Sequence, residues 1–428
     1  MAVPAVSGVP AGTGAGYSQT TAGLAGGNGG TGGTGGNGGA GGAGGAAGEG
    51  GLNGAGADRA ASGMAGTAGN GGNGGAGGNG GAGGSSTVAA GSPGEKGSPG
   101  GSPVGSTGGT GGAGGTGGAG GAAGATSIPV GSEPEGVAVA PGGVTGAGDV
   151  YVANSGSGDV SVIDPSTGAV AATIPVGSEP YGVAVAPSGV TGAGDVYVTG
   201  EGGEVSVIDP STDTVIATIP VGSSPSPGVA VSPQTGDVYV TGVDDVSVID
   251  PSTDTVIATI PVGGVGVAVA PDGVPGAGDV YVATGDVSVI DPSTDAVIAT
   301  IPVGDGAHWI AVAPDGVPGA GDIYAANTSD VVSVIDPSTN TVIATIDMGT
   351  YTTGTYGVAV SPQTGDVYVV DIGDKAVSVI DPATDTVIAT IGVGSAPQFV
   401  AVSPTGPQAG DAYVTNLANN TVSVISAG

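Results

Sequence analysis

The residue types that carry most enzyme chemistry are scarce in this sequence of 428 residues. It contains a single histidine, His308, and no cysteine, and neither arginine nor cysteine occurs after residue 125. This inventory leaves no histidine pair for haem or copper, no thiolate metal site and no arginine clamp for phosphate. The remaining enzymatic option is a lactonase-like hydrolase that holds calcium with carboxylates and uses His308. We therefore expect that the protein is not an enzyme.

Acidic side chains dominate the charge, with 36 Asp and Glu against 3 Lys and Arg and a formal net charge of −33. Only Glu49, Asp58 and Glu95 precede residue 125, so 33 acids share the remainder with one base, Lys375. Nucleic-acid phosphates and anionic lipids require Lys and Arg, which excludes both as partners. Such acidity favours solubility and cationic partners, and it makes calcium the candidate ion; no other cofactor is expected.

The elements that position these residues are repeated from about residue 126 to the end. A Gly-Asp-Val-Tyr-Val segment and its variants recur seven times, and Val-Ser-Val-Ile-Asp-Pro ends in aspartates spaced 45, 41, 41, 45 and 45 residues apart. A period in the low forties, built only of short strands and turns, is typical of a β-propeller blade. The sequence therefore predicts an all-β protein with seven blades of four strands each and no helix.

The second repeat shows the expected strands, at residues 182–186, 195–199, 205–209 and 214–221. Asp209-Pro-Ser-Thr combines an Asx acceptor with a proline at the next position, which favours a type I turn. The seventh repeat stops after its third strand, 422–425, and a copy of the missing fourth strand stands at 126–130. We expect that strand to complete the last blade, so that the ring closes without a long unpaired edge.

Residues 1–124 differ in kind from the propeller, which spans 125–428. Gly-Gly-X triplets fill residues 26–45, 69–84 and 108–121. Two interpretations remain open, a flexible coil and a stack of polyglycine-II-like helices, and both predict a spacer. No apolar run approaches the roughly 20 residues of a spanning helix, so no transmembrane segment is expected. The start, Met1-Ala-Val-Pro, lacks the basic and apolar stretches of a secretory signal.

Two resemblances follow from these motifs. The Gly-Gly-Ala/Asn/Thr triplets over residues 22–124 resemble the repetitive region of mycobacterial PE-PGRS proteins, although the helical PE domain that precedes this region in the family is absent. The second half resembles the YVTN-type β-propellers of bacterial and archaeal surface proteins, because Tyr413-Val-Thr-Asn416 matches the name motif. The resemblance implies display at the cell surface, or secretion, and a role in binding.

Propeller geometry predicts where a binding site lies. The loops between strands two and three, and those leading from strand four to the next blade, emerge on one face, here called the variable face. Across the repeats these loops differ in length and content, whereas the loops of the opposite, constant face are near copies. The candidate ligand-binding residues on the variable face are Tyr181, Asp305, His308, Trp309, Tyr351, Tyr356, Lys375, Gln398 and Phe399, with further charge from Glu133, Glu135, Glu201, Glu204, Asp244, Asp245, Asp305 and Asp330.

Each of these residues also has a structural interpretation. Trp309 and Phe399 begin innermost strands and could fill the channel, His308 could be a solvated loop residue, and Lys375 could relieve acidic crowding. The sequence favours a monomeric, non-enzymatic surface or secreted module that binds a protein or glycan through the variable face. The alternatives are the calcium-dependent hydrolase and a structural surface protein without a specific ligand.

Overall fold

The computed structural model describes residues 125–427, except 178, 223–224, 305 and 350–354, and it also leaves out the side chains of 225–227. The glycine-rich region, and with it the choice between coil and polyglycine helix, lies outside the described residues. Within them the chain forms seven four-stranded antiparallel sheets, the blades of a β-propeller.

In blades 1 to 6 the strands follow one another in chain order from the centre of the blade outward, and in blade 7 the first strand of the chain takes the outermost place. Blade 1 comprises β2 (Pro134–Val139), β3 (Val150–Asn154), β4 (Asp159–Asp164) and β5 (Ala169–Pro175). Blade 2 comprises β6 (Pro180–Val185), β7 (Val196–Gly200), β8 (Glu204–Asp209) and β9 (Thr214–Pro220). Blade 3 comprises β10 (Pro225–Val231), β11 (Val238–Gly242), β12 (Val246–Asp250) and β13 (Thr255–Ile260). Blade 4 comprises β14 (Val267–Val269), β15 (Val280–Ala283), β16 (Val287–Asp291) and β17 (Ala296–Ile301). Blade 5 comprises β18 (Ala307–Val312), β19 (Ile323–Asn327), β20 (Val331–Asp336) and β21 (Thr341–Asp347). Blade 6 comprises β22 (Thr355–Val360), β23 (Val367–Asp371), β24 (Ala376–Asp381) and β25 (Thr386–Gly392). Blade 7 comprises β26 (Pro397–Val402), β27 (Ala412–Asn416), β28 (Thr421–Ile425) and β1 (Thr126–Pro129).

The first strand closes the ring. β1 runs antiparallel to β28, from Thr126 opposite Val424 to Pro129 opposite Thr421. Ile128 is the anchor of this strand, since it is only 6% exposed and packs in the core between blades 7 and 1. The seven blades and this closing pair are the arrangement expected from the sequence.

The expectation that the repeats contain no helix was wrong at one place. A short 3₁₀ turn, Leu417–Asn419, lies in the β27–β28 loop and ends at Asn420, whose φ is +54°. The hairpin here has four residues between its strands, which is long enough for one such turn. Elsewhere the strands of the second repeat begin and end within two residues of their predicted limits.

Burial along each blade follows the side-chain pattern. β3 is buried throughout, because side chains of both its faces pack against neighbouring blades, and six motif tyrosines, including Tyr151 and Tyr197, are fully buried. The outermost strands instead alternate, as in β9, where Ile219 is buried and Ile216 is 55% exposed. Equivalent isoleucines on four other blades are exposed to a similar extent: Ile257, Ile298, Ile343 and Ile388.

The constant-face turns confirm the predicted Asx geometry. The Ser211 amide and hydroxyl both donate to Asp209 Oδ1, at 2.8 and 2.7 Å, and these bonds lower the pKa of the Asp209 carboxyl. The residue that closes the turn, Asp213, has a φ of +53°, a conformation that Asp tolerates better than most side chains. The motif aspartates before the tyrosines close their loops through the backbone, as where the Asp195 amide donates to Gly192 O at 2.8 Å.

Candidate functional site

The two kinds of variable-face loop are hydrogen-bonded to each other within a blade. The amide of Ser155, after β3, donates to Glu133 O at 3.0 Å, and the amide of Glu201, after β7, donates to Glu179 O at 3.1 Å. In blade 7 the amide of Leu417 makes the same bond to Ala396 O at 3.0 Å. These bonds hold the variable loops in fixed positions around the channel.

Glycine and aromatic residues alternate where the innermost strands meet. A side chain at Gly136 would overlap the Tyr181 carbonyl of the next blade, and one at Gly357 would lie 2.7 Å from Phe399 Cα. Five blades have glycine at this position, while blades 5 and 7 have Trp309 and Phe399. Because glycine lets neighbouring backbones approach closely, the two aromatic side chains find room in the channel.

Trp309 and Phe399 meet although blade 6 separates them in the ring. Their ring centroids lie 4.5 Å apart with planes at 77°, an edge-to-face contact. Both line a cavity of about 130 Å³ on the propeller axis, together with the inner-strand glycines and valines. Trp309 Nε1 is buried and has no acceptor among the described residues.

A second aromatic contact joins His308 to Tyr356 of the next blade. The rings are 6.5 Å apart at 82°, and partial burial lowers the pKa of His308. A neutral imidazole is therefore favoured near neutral pH. Two predicted neighbours of this pair, Asp305 and Tyr351, lie outside the described residues.

Tyr181 stands in an acidic groove between blades 1 and 2. Its hydroxyl donates to Glu179 Oε2 at 3.4 Å, and Glu133 and Glu135 lie on the same groove of about 700 Å³. Burial, reinforced by the charge of Glu133, raises the pKa of Glu135 to about 7. The side chains of Glu179 and Glu201 share a hydrogen bond that raises the pKa of Glu201. The sequence identified Glu133, Glu135 and Glu201 but missed Glu179.

Lys375 occupies a special backbone position, and Gln398 bonds to the loop that precedes it. Lys375 closes the β23–β24 hairpin with a φ of +54°, and its carbonyl accepts from the Val393 amide at 2.8 Å. Gln398 Nε2 donates to the carbonyl of Ala396 at 3.5 Å. Three residues that precede prolines on this face, Glu133, Glu179 and Ala396, have φ near +50°, which is a strained conformation for side chains other than Gly, Asn and Asp.

Sequence reasoning missed the residues that join one blade to the next. The Asn of the Tyr-Val-Thr-Asn motif and the Ser of Val-Ser-Val-Ile-Asp are buried on the variable side of the ring. In blade 5 the Asn327 amide donates to Ser333 Oγ and to Val303 O, both at 3.1 Å, and Val303 belongs to the loop from blade 4. The signal was present in the sequence, since this serine recurs in every repeat where a β-branched residue would be expected.

Among the described residues, no three His, Asp or Glu side chains lie close enough together to hold a metal ion. Nor does any helix in that part of the chain have the length and apolar character to cross a membrane.

The comparisons with known proteins bear on the fold. No family model matches the chain, and no curated protein matches it. Among solved structures the chain is similar to Kuenenia stuttgartiensis hydrazine synthase, with a TM-score of 0.58 and 20% identity over 69% of this chain and 95% of that one. At this identity the likeness is one of architecture, and the part of the chain that the structure describes is an all-β, seven-bladed propeller.

Proposed function

We propose that this protein is a non-enzymatic binding module that recognises a protein or glycan through the variable face. The observation that carries the proposal is the contact between Trp309 and Phe399 at the channel. Repetition would place glycine at both positions, as in the other five blades, so these two aromatics depart from the pattern of the ring. Aromatic side chains supply large contact areas at low conformational cost, which is why they dominate binding surfaces.

The contrast between the two faces supports the same conclusion. Turns on the constant face repeat one hydrogen-bonding scheme from blade to blade, as in the bonds from Ser166, Ser211, Ser252, Ser293 and Ser338 to the preceding aspartates. The variable face instead collects His308, Tyr356 and Tyr181 at the starts of innermost strands, beside loops held by backbone hydrogen bonds. A rigid scaffold with differing loops on one side is the usual design of a recognition surface.

The setting we propose is the cell surface or the extracellular space, with the glycine-rich region as spacer and the protein as a monomer. This follows from the resemblance to YVTN-type and PE-PGRS proteins carried by Tyr413-Val-Thr-Asn416 and the Gly-Gly-X triplets.

The test is a binding screen against arrays of glycans and of extracellular protein domains. The wild-type protein is compared with a triple variant, Trp309→Ala, Tyr351→Ala and Tyr356→Ala, and with a matched constant-face variant, Asp272→Asn. We expect ligands that bind the wild type and the constant-face variant but lose at least tenfold in affinity with the triple variant. Equal binding by all three proteins would contradict the assignment of the site.

Thermal melting with calcium and with EDTA separates this proposal from the calcium-dependent hydrolase. An ion that binds the native state more tightly than the unfolded chain raises the melting temperature, and above the Kd this rise grows with the logarithm of the calcium concentration. A rise in melting temperature with calcium, together with hydrolysis of a lactone that is lost in His308→Gln, would favour the enzyme over the binding module.

A further inference from the structure

The residue three positions after each motif tyrosine, at the end of the second strand, holds the same place in each blade. This position is occupied by Asn154, Gly200, Gly242, Asn327 and Asn416 in blades 1, 2, 3, 5 and 7. In each of these blades the residue two positions earlier pairs with a buried serine of the third strand. The side chain at this place lies between that serine and the loop arriving from the preceding blade. Its identity therefore decides whether the space between two blades is filled.

Asparagine fills this space in blades 1, 5 and 7. The Asn154 amide donates to Asp159 Oδ1 at 2.7 Å and to Ser161 Oγ at 2.9 Å. The Asn154 side chain fits at this position because residue 131, in the loop before β2, is glycine. A Cβ at Gly131 would lie only 2.6 Å from the Asn154 amide group. In these blades the side-chain amide of the asparagine has a serine hydroxyl on one side and a carboxylate or a carbonyl on the other.

Glycine leaves the same space open in blades 2 and 3. At Gly242 a cleft of about 220 Å³ is lined by Val221, Ser247, Asp245 and Asp244. At Gly200 a smaller cleft of about 40 Å³ is lined by the equivalent Val176, Ser206 and Glu204. The larger cleft has room for the end of a partner's side chain, whereas the smaller one has less than a fifth of its volume.

The groups around the larger cleft are hydrogen-bond acceptors. Ser247 Oγ donates to the Val221 carbonyl at 3.3 Å, as Ser333 does to Val303, so the hydroxyl oxygen retains its lone pairs. Asp245 lies opposite Gly242, whose amide donates to the Asp245 carbonyl at 2.6 Å, and Asp159 likewise lies opposite Asn154 in blade 1. Val243 is exposed at the rim and offers an apolar surface to a methylene chain. Three acceptors around one space, with a carboxylate among them, match a group that is cationic and carries several N–H donors.

We propose that the cleft at Gly242 is a binding subsite for a primary ammonium group, the lysine side chain or the free N-terminus of a partner, which would bond to Asp245, Ser247 Oγ and the Val221 carbonyl. In blade 1 the Asn154 amide makes the equivalent bonds, since its N–H groups donate to Asp159 and Ser161 at the same position. The subsite goes beyond the aromatic mouth, since the two share no lining residues.

The test is an amide NMR titration of the full chain with n-butylammonium, compared with tetramethylammonium, which has the same charge but no N–H donor. We expect saturable shifts at Gly242 and Ser247 with n-butylammonium, and at least tenfold weaker binding of tetramethylammonium. Equal effects of the two cations would overturn the proposal, because they would reflect only the net charge of the protein.

Matched variants use the ring's own residues. Gly242→Asn copies blade 1 and should abolish the shifts at Ser247, whereas Asn154→Gly should open a new ammonium site beside Asp159 and Ser161. Asp245→Asn should weaken binding at least fivefold, which keeps the proposal testable should Gly242→Asn fold poorly. Unchanged binding in either Gly242→Asn or Asp245→Asn would contradict it. The double variant Trp309→Ala and Tyr356→Ala should bind n-butylammonium normally, so this test is independent of the proposed function.

Discussion

Thr415 Oγ1, in the last blade, donates a hydrogen bond of 2.6 Å to the carbonyl oxygen of Glu135, in the first. The Phe399 amide in turn donates to the same hydroxyl at 3.1 Å, so one threonine ties two inner strands together. Thr241 makes the same kind of link from blade 3 to Val265, at 2.8 Å. The ring is therefore closed at its inner edge by a threonine and at its outer edge by β1.

Removing either closing contact should destabilise the whole ring. Ile128→Ala is expected to cost about 2–4 kcal/mol, since it leaves a cavity in the core between blades 7 and 1. Thr415→Val should cost about 1 kcal/mol through the lost hydrogen bonds. Urea denaturation measures both, with Ser127→Ala, an exposed change on the same strand, as the control. Full stability of Ile128→Ala would show that β1 does not support the ring.

Filling the smaller inter-blade cleft should stabilise the protein. Gly200 ends a regular strand, so Gly200→Asn introduces no backbone strain, and its amide can bond to Ser206 and Glu204 as Asn154 bonds to Ser161 and Asp159. We expect a gain of about 0.5–1 kcal/mol, most of it from the restricted unfolded chain. The reverse change, Asn154→Gly, should cost about 1–3 kcal/mol. A loss of stability in Gly200→Asn by urea denaturation would contradict this reading of the cleft.

Ala396 offers a direct test of the backbone strain on the variable face. Its φ of +52° is unfavourable for alanine by about 1–2 kcal/mol. Ala396→Gly removes that cost but adds freedom to the unfolded chain, so a net gain of up to about 1 kcal/mol is expected. Ala383→Gly, in an exposed constant-face turn, should instead lower the free energy of unfolding. Equal losses in the two variants would argue against strain at Ala396.

Stability should be greatest at mildly acidic pH. Burial raises the pKa of Glu135 to about 7 and those of Asp195 and Asp322 to about 6, above their unfolded values of 4.5 and 3.8. The native state therefore binds more protons than the unfolded chain between about pH 4 and 7, and stability falls as pH rises through this range. Turn aspartates such as Asp209 have lowered pKa values, so below that range the unfolded chain binds more protons than the native state at these groups. Stability therefore falls on further acidification.

His308 works in the opposite direction near pH 6, because its pKa is lowered, but it is one group against several carboxyls. Urea denaturation between pH 3 and 8 measures the profile. Replacing the buried carboxyls in Glu135→Gln and Asp195→Asn should flatten the fall between pH 4 and 7. A profile that rises steadily from pH 4 to 7 would contradict the raised pKa values.

The sequence predicted the repeated part of the molecule well, because each strand and turn follows from local chemistry. Alternating Val and small residues specify strands, and Asp209-Pro-Ser-Thr specifies its own turn through the bonds from Ser211. The missing fourth strand of the last repeat sufficed to predict the pairing of β1 with β28.

Contacts between blades were harder to predict, since they depend on how neighbouring sheets approach. Trp309 and Phe399 meet across Gly357, where a Cβ would lie 2.7 Å from Phe399 Cα. The role of Asn327 likewise depends on the position of a loop from another blade, and that of Thr415 depends on the position of an inner strand of another blade. A raised pKa such as that of Glu135 depends on burial among residues far apart in the chain, which no local pattern reports.

The exposed isoleucines of the outer strands have a consequence for how copies of the molecule behave towards one another. Outer strands such as β9 and β13 have unpaired backbone groups along one edge, and their side chains are Thr, Ile and other uncharged residues. An exposed edge strand without charged side chains favours aggregation. The net charge of −33 makes whole molecules repel one another, which keeps these edge strands apart. Colloidal stability then rests on long-range repulsion, and concentrated salt, by screening it, should bring the rims of neighbouring molecules into contact.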